Sequence, residues 1–347
     1  MLNELYEMPP QLLTLSAERL HDLLGGPTLI HLPGRREAPL FVSVLLHGNE
    51  DVGWEAVRFL LRRYRPGGGK RELPRALSLF IGNTEAAKMK LRRLPGQPDY
   101  NRVWPGSELP PTAEHALMEQ VVATMARRGV FASVDLHNNT GLNPHYACIN
   151  VIRNEALHLA ALFSRIVVYF TRPKGVQSMA MTELCPSVTL ECGKVGQARG
   201  VEHAAEFLDA CLHLSHLPDH PVPAQDIDLF HTVAVVKIPP QVSFGFGCGN
   251  RDLCLPGDLE RLNFRELPAG TFFGLVRPGV AHPLDVRNEL DHDVTDRYFA
   301  VEKGELVTRT PVMPAMLTRD EMVIRQDCLC YLMERCRLSG DDERSMS

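Results

Sequence analysis

A repeated alternation of apolar strands and amphipathic helices over the first 215 residues constrains the fold of this chain most strongly. Residues 40–47, LFVSVLLH, form a continuous apolar run, which is typical of a parallel strand buried on both faces. Residues 50–64 have apolar residues at helical spacing, and PGGGK then stops the helix. Further strands are predicted at 76–83, 131–137, 145–152, 165–170 and 187–193, and further helices at 112–129 and 200–214. This alternation predicts an α/β fold with a mixed, mostly parallel sheet flanked by helices.

The character of the sequence changes at residues 215–230, where three prolines stand among polar residues as in a linker. Beyond this segment, short β-type runs are separated by proline and glycine turns. We therefore predict a first domain at residues 1–215, a smaller β-rich C-terminal domain at 226–330, and a disordered tail at 338–347.

Composition and charge exclude several classes of protein. The 347 residues carry a net charge of −5, which gives no reason to expect a nucleic-acid partner. No run of about 18 apolar residues predicts a membrane span, and the N-terminus lacks the features of a secretory signal. The nine cysteines contain no CxxC pair, which fits reduced thiols in a cytoplasm. We expect a cytoplasmic protein that binds neither nucleic acid nor membranes.

The first candidate site lies where the strand at 40–47 meets the following helix. His47 ends the apolar run, and Glu50 stands three residues later in the loop or first helical turn. Ligands of open α/β sheets bind at the carboxyl ends of the strands, so this imidazole and carboxylate can meet at one cation. The alternative is a strand-end histidine next to a carboxylate that the helix dipole favours.

A second apolar strand also ends in a histidine. In SVDLHNNTG, residues 133–141, His137 follows Asp135 by two positions, so both side chains point to the same side of the strand. Asp135 is therefore placed to orient an imidazole ligand. Two imidazoles, one carboxylate and an open position are the ligands of a catalytic zinc site. The pattern favours a zinc-dependent hydrolase.

A hydrolytic zinc site also needs a general base. Glu191, in SVTLECGKVG, stands near the end of a further predicted strand, with glycines after it that leave room around the backbone. It is our candidate for that base. A surface or capping carboxylate is the alternative interpretation of a glutamate at a strand end.

A long loop rich in proline and glycine carries a cluster of arginines. Arg92, Arg93 and Arg102 lie in this loop, with Asn101 beside the last of them. The planar guanidinium binds carboxylates through two hydrogen bonds, so the cluster indicates an anionic substrate. A solvated basic loop is the alternative.

Five short motifs follow one another along the chain: HGNE at 47–50, Asn83, DYNR at 99–102, DLHNNT at 135–140 and ECG at 191–193. In this order they resemble the succinylglutamate desuccinylase/aspartoacylase family, zinc-dependent amidohydrolases related to the zinc carboxypeptidases. The similarity covers residues 38–210. It implies a carboxypeptidase-like sheet, which makes residues 1–215 the zinc hydrolase catalytic domain.

The resemblance implies the reaction and the catalytic residues. The reaction is hydrolysis of the amide bond of a small anionic N-acyl amino acid. One zinc ion per chain would be held by His47, Glu50 and His137. Glu191 would act as general base toward zinc-activated water and then as general acid toward the amine.

The resemblance also implies a set of residues around the substrate: Asn101, Arg102, Arg92, Arg93, Asn83 and Tyr298. The first two would hold the carboxylate of the amino acid, and Arg92 or its neighbour Arg93 would polarise the scissile carbonyl or hold the oxyanion. Asn83 matches a family asparagine that follows the second strand. Tyr298 corresponds to a C-terminal tyrosine that reaches into the site of relatives.

One family feature is missing from this chain. Aspartoacylases carry another arginine shortly before the catalytic glutamate, where Met181 and Thr182 stand here. A second substrate carboxylate would then lack a partner, which disfavours N-acetylaspartate. The alternatives are a zinc carboxypeptidase acting on peptides and a catalytically inactive metal-binding sensor. The sequence leaves the oligomeric state open, a homo-oligomer included.

Overall fold

The structure, a computed structural model, describes residues 2–64, 72–247 and 249–336. The chain forms two compact units. The first comprises residues up to 138 with 145–169 and 173–228, and the second comprises 139–144, 170–172 and the chain from 229 onward. Within the described ranges, no helix has both the length and the apolar character needed to cross a membrane. The predicted tail at 338–347 lies outside the described residues.

The first unit contains a mixed sheet. In chain order its strands are β1 (Asn3–Leu5), β2 (Thr28–Leu32), β3 (Gly34–Val44), β4 (Leu73–Ile81), β5 (Ala132–Asn139), β6 (Tyr146–Ile149), β7 (Ile166–Tyr169) and β8 (Ser187–Lys194). They lie side by side in the order β1-β2-β4-β3-β5-β8-β6-β7. β3 is parallel to both β4 and β5, β6 is parallel to β7, and β2–β4 and β6–β8 are antiparallel. The predicted mixed, mostly parallel α/β sheet is confirmed.

Helices connect and cover these strands. They are α1 (Leu20–Leu24), α2 (Val52–Arg63), α3 (Thr84–Lys88), α4 (Ala113–Arg128), α5 (Asn154–Phe163), α6 (Gln177–Met181) and α7 (Ala198–His213). α2 buries an apolar face that includes Trp54, and its last turn carries two arginines that suit the negative end of the helix dipole. α4 starts with a capping box between Thr112 and His115 and packs its apolar face in a cluster with Phe80 and Trp104.

The second unit is β-rich, as predicted. Its elements are β9 (Asp228–Lys237), β10 (Phe244–Phe246), β11 (Leu253–Leu255), β12 (Phe272–Val276), β13 (Asp285–Asn288), α8 (Thr295–Tyr298), β14 (Phe299–Glu302), β15 (Glu305–Thr308), β16 (Met313–Ala315), α9 (Glu321–Gln326) and β17 (Cys330–Arg335). A five-stranded sheet has the order β10-β11-β12-β15-β14, while β9 pairs with β13 and β17, and β17 pairs with β16. Phe273, Val286 and Leu332 belong to its apolar core.

The strand that leads to the first candidate site ends earlier than predicted. β3 ends at Val44, although the apolar run continues to His47. Leu45 has a φ of 56°, a left-handed conformation that is uncommon for residues other than glycine, so the chain turns out of the sheet here. The predicted strand end at residue 47 is therefore wrong, and His47 lies in the loop.

Among the residues that the structure describes, Cys254 differs from expectation. Seven described cysteines are free thiols and most of these are buried, whereas Cys254 is disulfide-bonded. The prediction of reduced thiols is therefore wrong for Cys254, because spacing along the chain does not reveal which thiols meet in space.

Candidate active site

The loop after β3 is held tightly against neighbouring backbone. The N–H of Gly48 donates to the carbonyl of Arg92 at 3.1 Å. A Cβ on Gly48 would lie 2.3 Å from the backbone carbon of Ala86, so only glycine fits at this position. This close approach brings the backbone of Arg92 to the loop that carries His47 and Glu50.

Three predicted metal ligands meet at one point. The Nδ1 atom of His47 lies 2.9 Å from Oε1 of Glu50, and Nδ1 of His137 lies 2.7 Å from Oε2 of the same carboxylate. All three side chains are buried. The backbone N–H of Asn138 also donates to Glu50 Oε2, at 3.2 Å, which helps to fix the carboxylate between the two rings.

Each imidazole has a second carboxylate behind it. Nε2 of His47 lies 2.9 Å from Oδ1 of Asp99, and Nε2 of His137 lies 2.7 Å from Oδ2 of Asp135. Asp135 is itself held by the hydroxyl of Ser43, which donates to Oδ1 at 2.7 Å. An Nε2–H that donates to a carboxylate leaves Nδ1 as the atom that faces Glu50.

Asp99 was not assigned a separate role from the sequence, although it begins the DYNR motif. Its Oδ1 accepts from His47, and its Oδ2 accepts from Nη2 of Arg92 at 3.0 Å. Burial opposes ionisation of Asp99, but His47 and Arg92 outweigh burial and hold the pKa of this carboxyl well below its usual range. Asp99 therefore ties a predicted metal ligand to a predicted catalytic arginine.

The carboxylates around the rings of His47 and His137 favour a positive charge at this site. Burial alone would lower the pKa of His137, but Asp135 and Glu50 outweigh it and raise this pKa well above its ordinary value. Burial also opposes ionisation of Glu50, yet His47 and His137 hold the pKa of its carboxyl below its usual range. The raised pKa of His137 favours a proton there when no cation is bound, and a bound cation would displace it.

His47, Glu50 and His137 therefore fit a divalent metal ion. In the part of the chain that the structure describes, they are the one group of three such side chains with ligand atoms within 4.8 Å of one another. Neutral imidazole nitrogen and carboxylate oxygen form a donor set that suits zinc.

Glu191, near the end of β8, is also buried. Its Oε2 atom has no hydrogen-bond partner among the described residues. Burial is the main cause that raises the pKa of this carboxyl to about 8; Glu50 and Asp135 raise it further, and His137 opposes them. A carboxyl with an available oxygen and a pKa near neutrality is suited to accept and return a proton.

The structure distinguishes the two candidate arginines. Arg92 is buried, and its Nη1 lies 3.4 Å from Oε1 of Glu50. Arg93 instead donates from Nη1 to the backbone carbonyl of Gln97 at 2.7 Å. Arg92 is therefore the arginine beside the three candidate ligands.

Asn101 presents a defined end of its amide to the site. Its Oδ1 accepts the backbone N–H of Gln177 at 2.9 Å, so its Nδ2 is the atom that faces His137, at 3.3 Å from Nε2. Nη1 of Arg102 donates to the carbonyl of Asn101 at 2.8 Å. Gln177 was not predicted, because nothing in its local sequence reveals that its backbone would meet Asn101.

Asn83 and Tyr298 have other surroundings. Asn83 caps α3 by accepting from the N–H of Ala86 at 3.1 Å, and its Nδ2 donates to Oε1 of Gln97 at 2.7 Å. These bonds hold the loop that carries the arginines. Tyr298 ends α8 and packs in the apolar core of the second unit. Contacts of either residue with a substrate stay a prediction.

Known proteins resemble this chain in sequence profile and in structure. The profile of the succinylglutamate desuccinylase/aspartoacylase catalytic domain matches residues 39–214. A search of curated proteins gave no match.

Several solved structures share the fold. Succinylglutamate desuccinylase from Chromobacterium violaceum is 19% identical with a TM-score of 0.55, and covers 88% of this chain and 87% of its own. The enzyme from Vibrio parahaemolyticus is 15% identical with a TM-score of 0.57, covering 88% and 84%. Murine aminoacylase 3 is 14% identical with a TM-score of 0.52, covering 88% and 97%. At these identities, the structural likeness speaks for the fold alone.

Proposed function

Because the chain belongs to the succinylglutamate desuccinylase/aspartoacylase family, we propose that it hydrolyses the amide bond of an N-acyl amino acid. The observation that carries this proposal is Glu191, a buried carboxyl with an unpartnered oxygen near a group that fits a metal ion. A protein that only sensed an anion would have no use for such a carboxyl. The fold shared with desuccinylases and aminoacylase 3 supports the same conclusion.

His47, Glu50 and His137 would hold one zinc ion per chain. A bound zinc ion polarises an acyl carbonyl and makes water more acidic at neutral pH. With the metal bound, Asp99 and Asp135 would keep the two imidazoles in the tautomer that presents Nδ1.

Side chains of this protein would carry out the remaining steps of the hydrolysis. Glu191 would accept the proton of the attacking water and deliver it to the nitrogen of the departing amine. Arg92 would stabilise the negative charge that develops on the acyl oxygen. Nδ2 of Asn101 and the guanidinium of Arg102 would bind the carboxylate of the amino acid. The products are a carboxylic acid and a free amino acid.

The segment before Glu191 favours a substrate with a single carboxylate. Met181 is buried in an apolar cluster with Trp104, and the hydroxyl of Thr182 donates to the carbonyl of Met179 at 2.7 Å. Neither side chain carries a positive charge for a second carboxylate, which would cost several kcal/mol to bury unpaired. We therefore propose that the amino-acid part has a neutral side chain.

A substrate panel tests this function. Zinc-loaded protein is incubated with N-acetyl, N-formyl and N-succinyl derivatives of each amino acid, and the released amine is measured. We expect turnover of derivatives with neutral side chains in preference to N-acetylaspartate, and loss of turnover with a chelator. Glu191→Gln should lower kcat by about 10²–10⁴ while zinc content stays at one per chain.

The exposed Glu183 provides a matched control, because Glu183→Gln removes a carboxylate eight residues before Glu191. This variant should keep wild-type activity. Full activity in Glu191→Gln would contradict the catalytic role. No amine release from the panel, with one zinc per chain, would favour a peptide carboxypeptidase if peptides were cleaved, and a sensor if they were not.

A further inference from the structure

A second pair of histidines, His145 and His203, lies in the first unit. Their Nδ1 atoms are 2.8 Å apart, and the rings are nearly coplanar, with an interplanar angle of 19° and centroids 5.1 Å apart. The centroid separation exceeds the nitrogen separation by about one ring diameter, so the two nitrogens point at each other. The rings are therefore joined by a hydrogen bond from one Nδ1–H to the other Nδ1.

Phe163 covers one face of this pair. It stacks on the ring of His203 with centroids 4.4 Å apart and an interplanar angle of 10°. A neutral imidazole carries one N–H, so one ring of the pair donates from its Nδ1 and the other accepts at its Nδ1.

The far edge of His145 lies against Gly193, one of the last residues of β8 after Glu191. Its Nε2 lies 2.7 Å from the position that a Cβ on Gly193 would take, so glycine is required here, and Gly193 also has a φ of 80°. The carbonyl of Gly193 accepts from Nδ2 of Asn138 at 3.1 Å. The histidine pair thus supports the end of β8 after Glu191, which Asn138 connects to Glu50.

Charged groups and solvent reach the pair from one side. Arg199, Glu202 and Glu206 line a cavity of about 580 Å³ together with the two histidines. Phe163 and Gly193, which pack against the rings, bring no charge. Burial is the main cause that lowers the pKa of both His145 and His203; Arg199 lowers both further, while the backbone of Phe163 and the carboxylate of Glu206 raise the pKa of His203 without outweighing burial. The pair is therefore neutral at neutral pH.

Protonation affects this pair in two steps. A first added proton, at Nε2 of the donor ring, leaves the bond between the rings intact. A second proton, at Nδ1 of the acceptor ring, sets two N–H groups against each other across 2.8 Å and breaks the bond.

We propose that His145, held by His203, is a positioning residue that fixes the end of β8 after Glu191, and that full protonation of the pair releases this strand end. The catalytic consequence rests on the proposed function. The structural consequence does not, since it concerns the backbone of residues 191–196.

Hydrogen–deuterium exchange of zinc-loaded, full-length protein tests the proposal without a substrate. Peptides that contain residues 191–196 are compared at about pH 7.5 and about pH 5.5, after correction for intrinsic exchange rates. We expect protection of these amides to fall about tenfold in the wild type at the lower pH. His203→Asn keeps an oxygen acceptor near the position of Nδ1 but cannot titrate, so its protection should not change with pH.

His158 provides a matched control. It lies in the same unit with its ring centroid 4.8 Å from that of His220, and it donates to the carbonyl of His220. His158→Asn should show the wild-type loss of protection. An equal loss in wild type and His203→Asn would overturn the proposal.

Activity gives an independent readout of the same proposal. The acid limb of kcat/KM should be steeper in the wild type and His158→Asn than in His203→Asn, and zinc content should be equal in all three. Identical acid limbs would also overturn the catalytic consequence. If the wild type showed no amidohydrolase activity, the proposed function would fail while the exchange experiment still decided the inference.

A ring-proton NMR titration of the wild type covers the case in which His203→Asn does not fold. Coupled titration of His145 and His203, below the range of the exposed histidines, would support the hydrogen-bonded pair. Independent titration in the ordinary range would overturn it.

Discussion

Two histidine pairs in the first unit have nearly the same separation and different chemistry. The ring centroids are 4.9 Å apart in His47–His137 and 5.1 Å apart in His145–His203. The first pair is inclined by 59°, and both of its Nδ1 atoms face the carboxylate of Glu50. The second pair is inclined by 19°, and its Nδ1 atoms face each other. Orientation, rather than proximity, separates a pair that could hold a metal ion from a pair for which we propose a supporting role.

The neighbouring charges explain this difference. Glu50 lies between the rings of the first pair, so positive charge is stabilised there by a proton or by a cation. At the second pair, burial is the main cause that opposes positive charge and Arg199 adds to it, although Glu206 favours a charged His203, and the rings satisfy each other by a neutral hydrogen bond. The comparison makes predictions, which are given from the largest expected effect to the smallest.

The largest effect should follow from Glu50→Gln, which removes the negative charge between the first pair of rings. We expect zinc content to fall from one per chain to near zero after dialysis, and activity to fall by several orders of magnitude, because neutral amides are poor zinc ligands. Metal analysis and amine release measure the two effects. Glu206→Gln, beside the second pair, is the matched control and should keep its zinc. If Glu50→Gln kept its zinc, the charge of Glu50 would not be what distinguishes the first pair from the second.

A smaller effect should follow from Asp99→Asn. The amide can still accept from Nε2 of His47, but it makes the imidazole a weaker ligand, so zinc affinity should fall by about 10–100-fold. Competition with a chromophoric chelator measures the affinity. Asp22→Asn, which changes an exposed aspartate paired with Arg19 and Lys88, should leave the affinity unchanged. Equal affinities in the two variants would show that Asp99 acts on Arg92 alone.

The smallest effect concerns stability without metal. The carboxyl of Glu191 has a pKa near 4.5 when unfolded and about 8 when folded, mainly because of burial. Between these values the folded protein holds a proton that the unfolded chain has released, so the free energy of unfolding falls as pH rises. Glu191→Gln removes this loss, which amounts to a few kcal/mol at most.

Melting temperatures of chelator-treated protein measure this effect. The advantage of Glu191→Gln over wild type should grow from about pH 5 to about pH 8.5, and Glu183→Gln should show the pH dependence of the wild type. An advantage that is constant with pH would mean that Glu191 is not buried as a neutral acid.

Much of the first unit could be predicted from the sequence. Continuous apolar runs identified the central strands, because strands covered on both faces need apolar residues throughout. β1 and β2 were not predicted, since short segments near the edge of a sheet carry a weak pattern. The end of β3 was misplaced, because the left-handed backbone at Leu45 leaves no signature in the apolar run.

The candidate site, too, could be predicted only in part from the sequence. His47, Glu50 and His137 could be placed together because the carboxyl ends of neighbouring parallel strands meet at one edge of a sheet. The choice of Arg92 over Arg93 could not be made, since it depends on which guanidinium the packed loop directs at Glu50.

The sequence by itself determined the α/β alternation and the types of residue at the strand ends, because both follow from local pattern. Only the tertiary structure decided the contacts of Asp99, Gln177 and the pair His145–His203. These depend on atoms from distant segments that meet within hydrogen-bond distance. A hydrogen bond is short and directional, so the packing of distant segments decides whether it forms. Whether a residue is buried can be predicted from the order of apolar and polar residues alone.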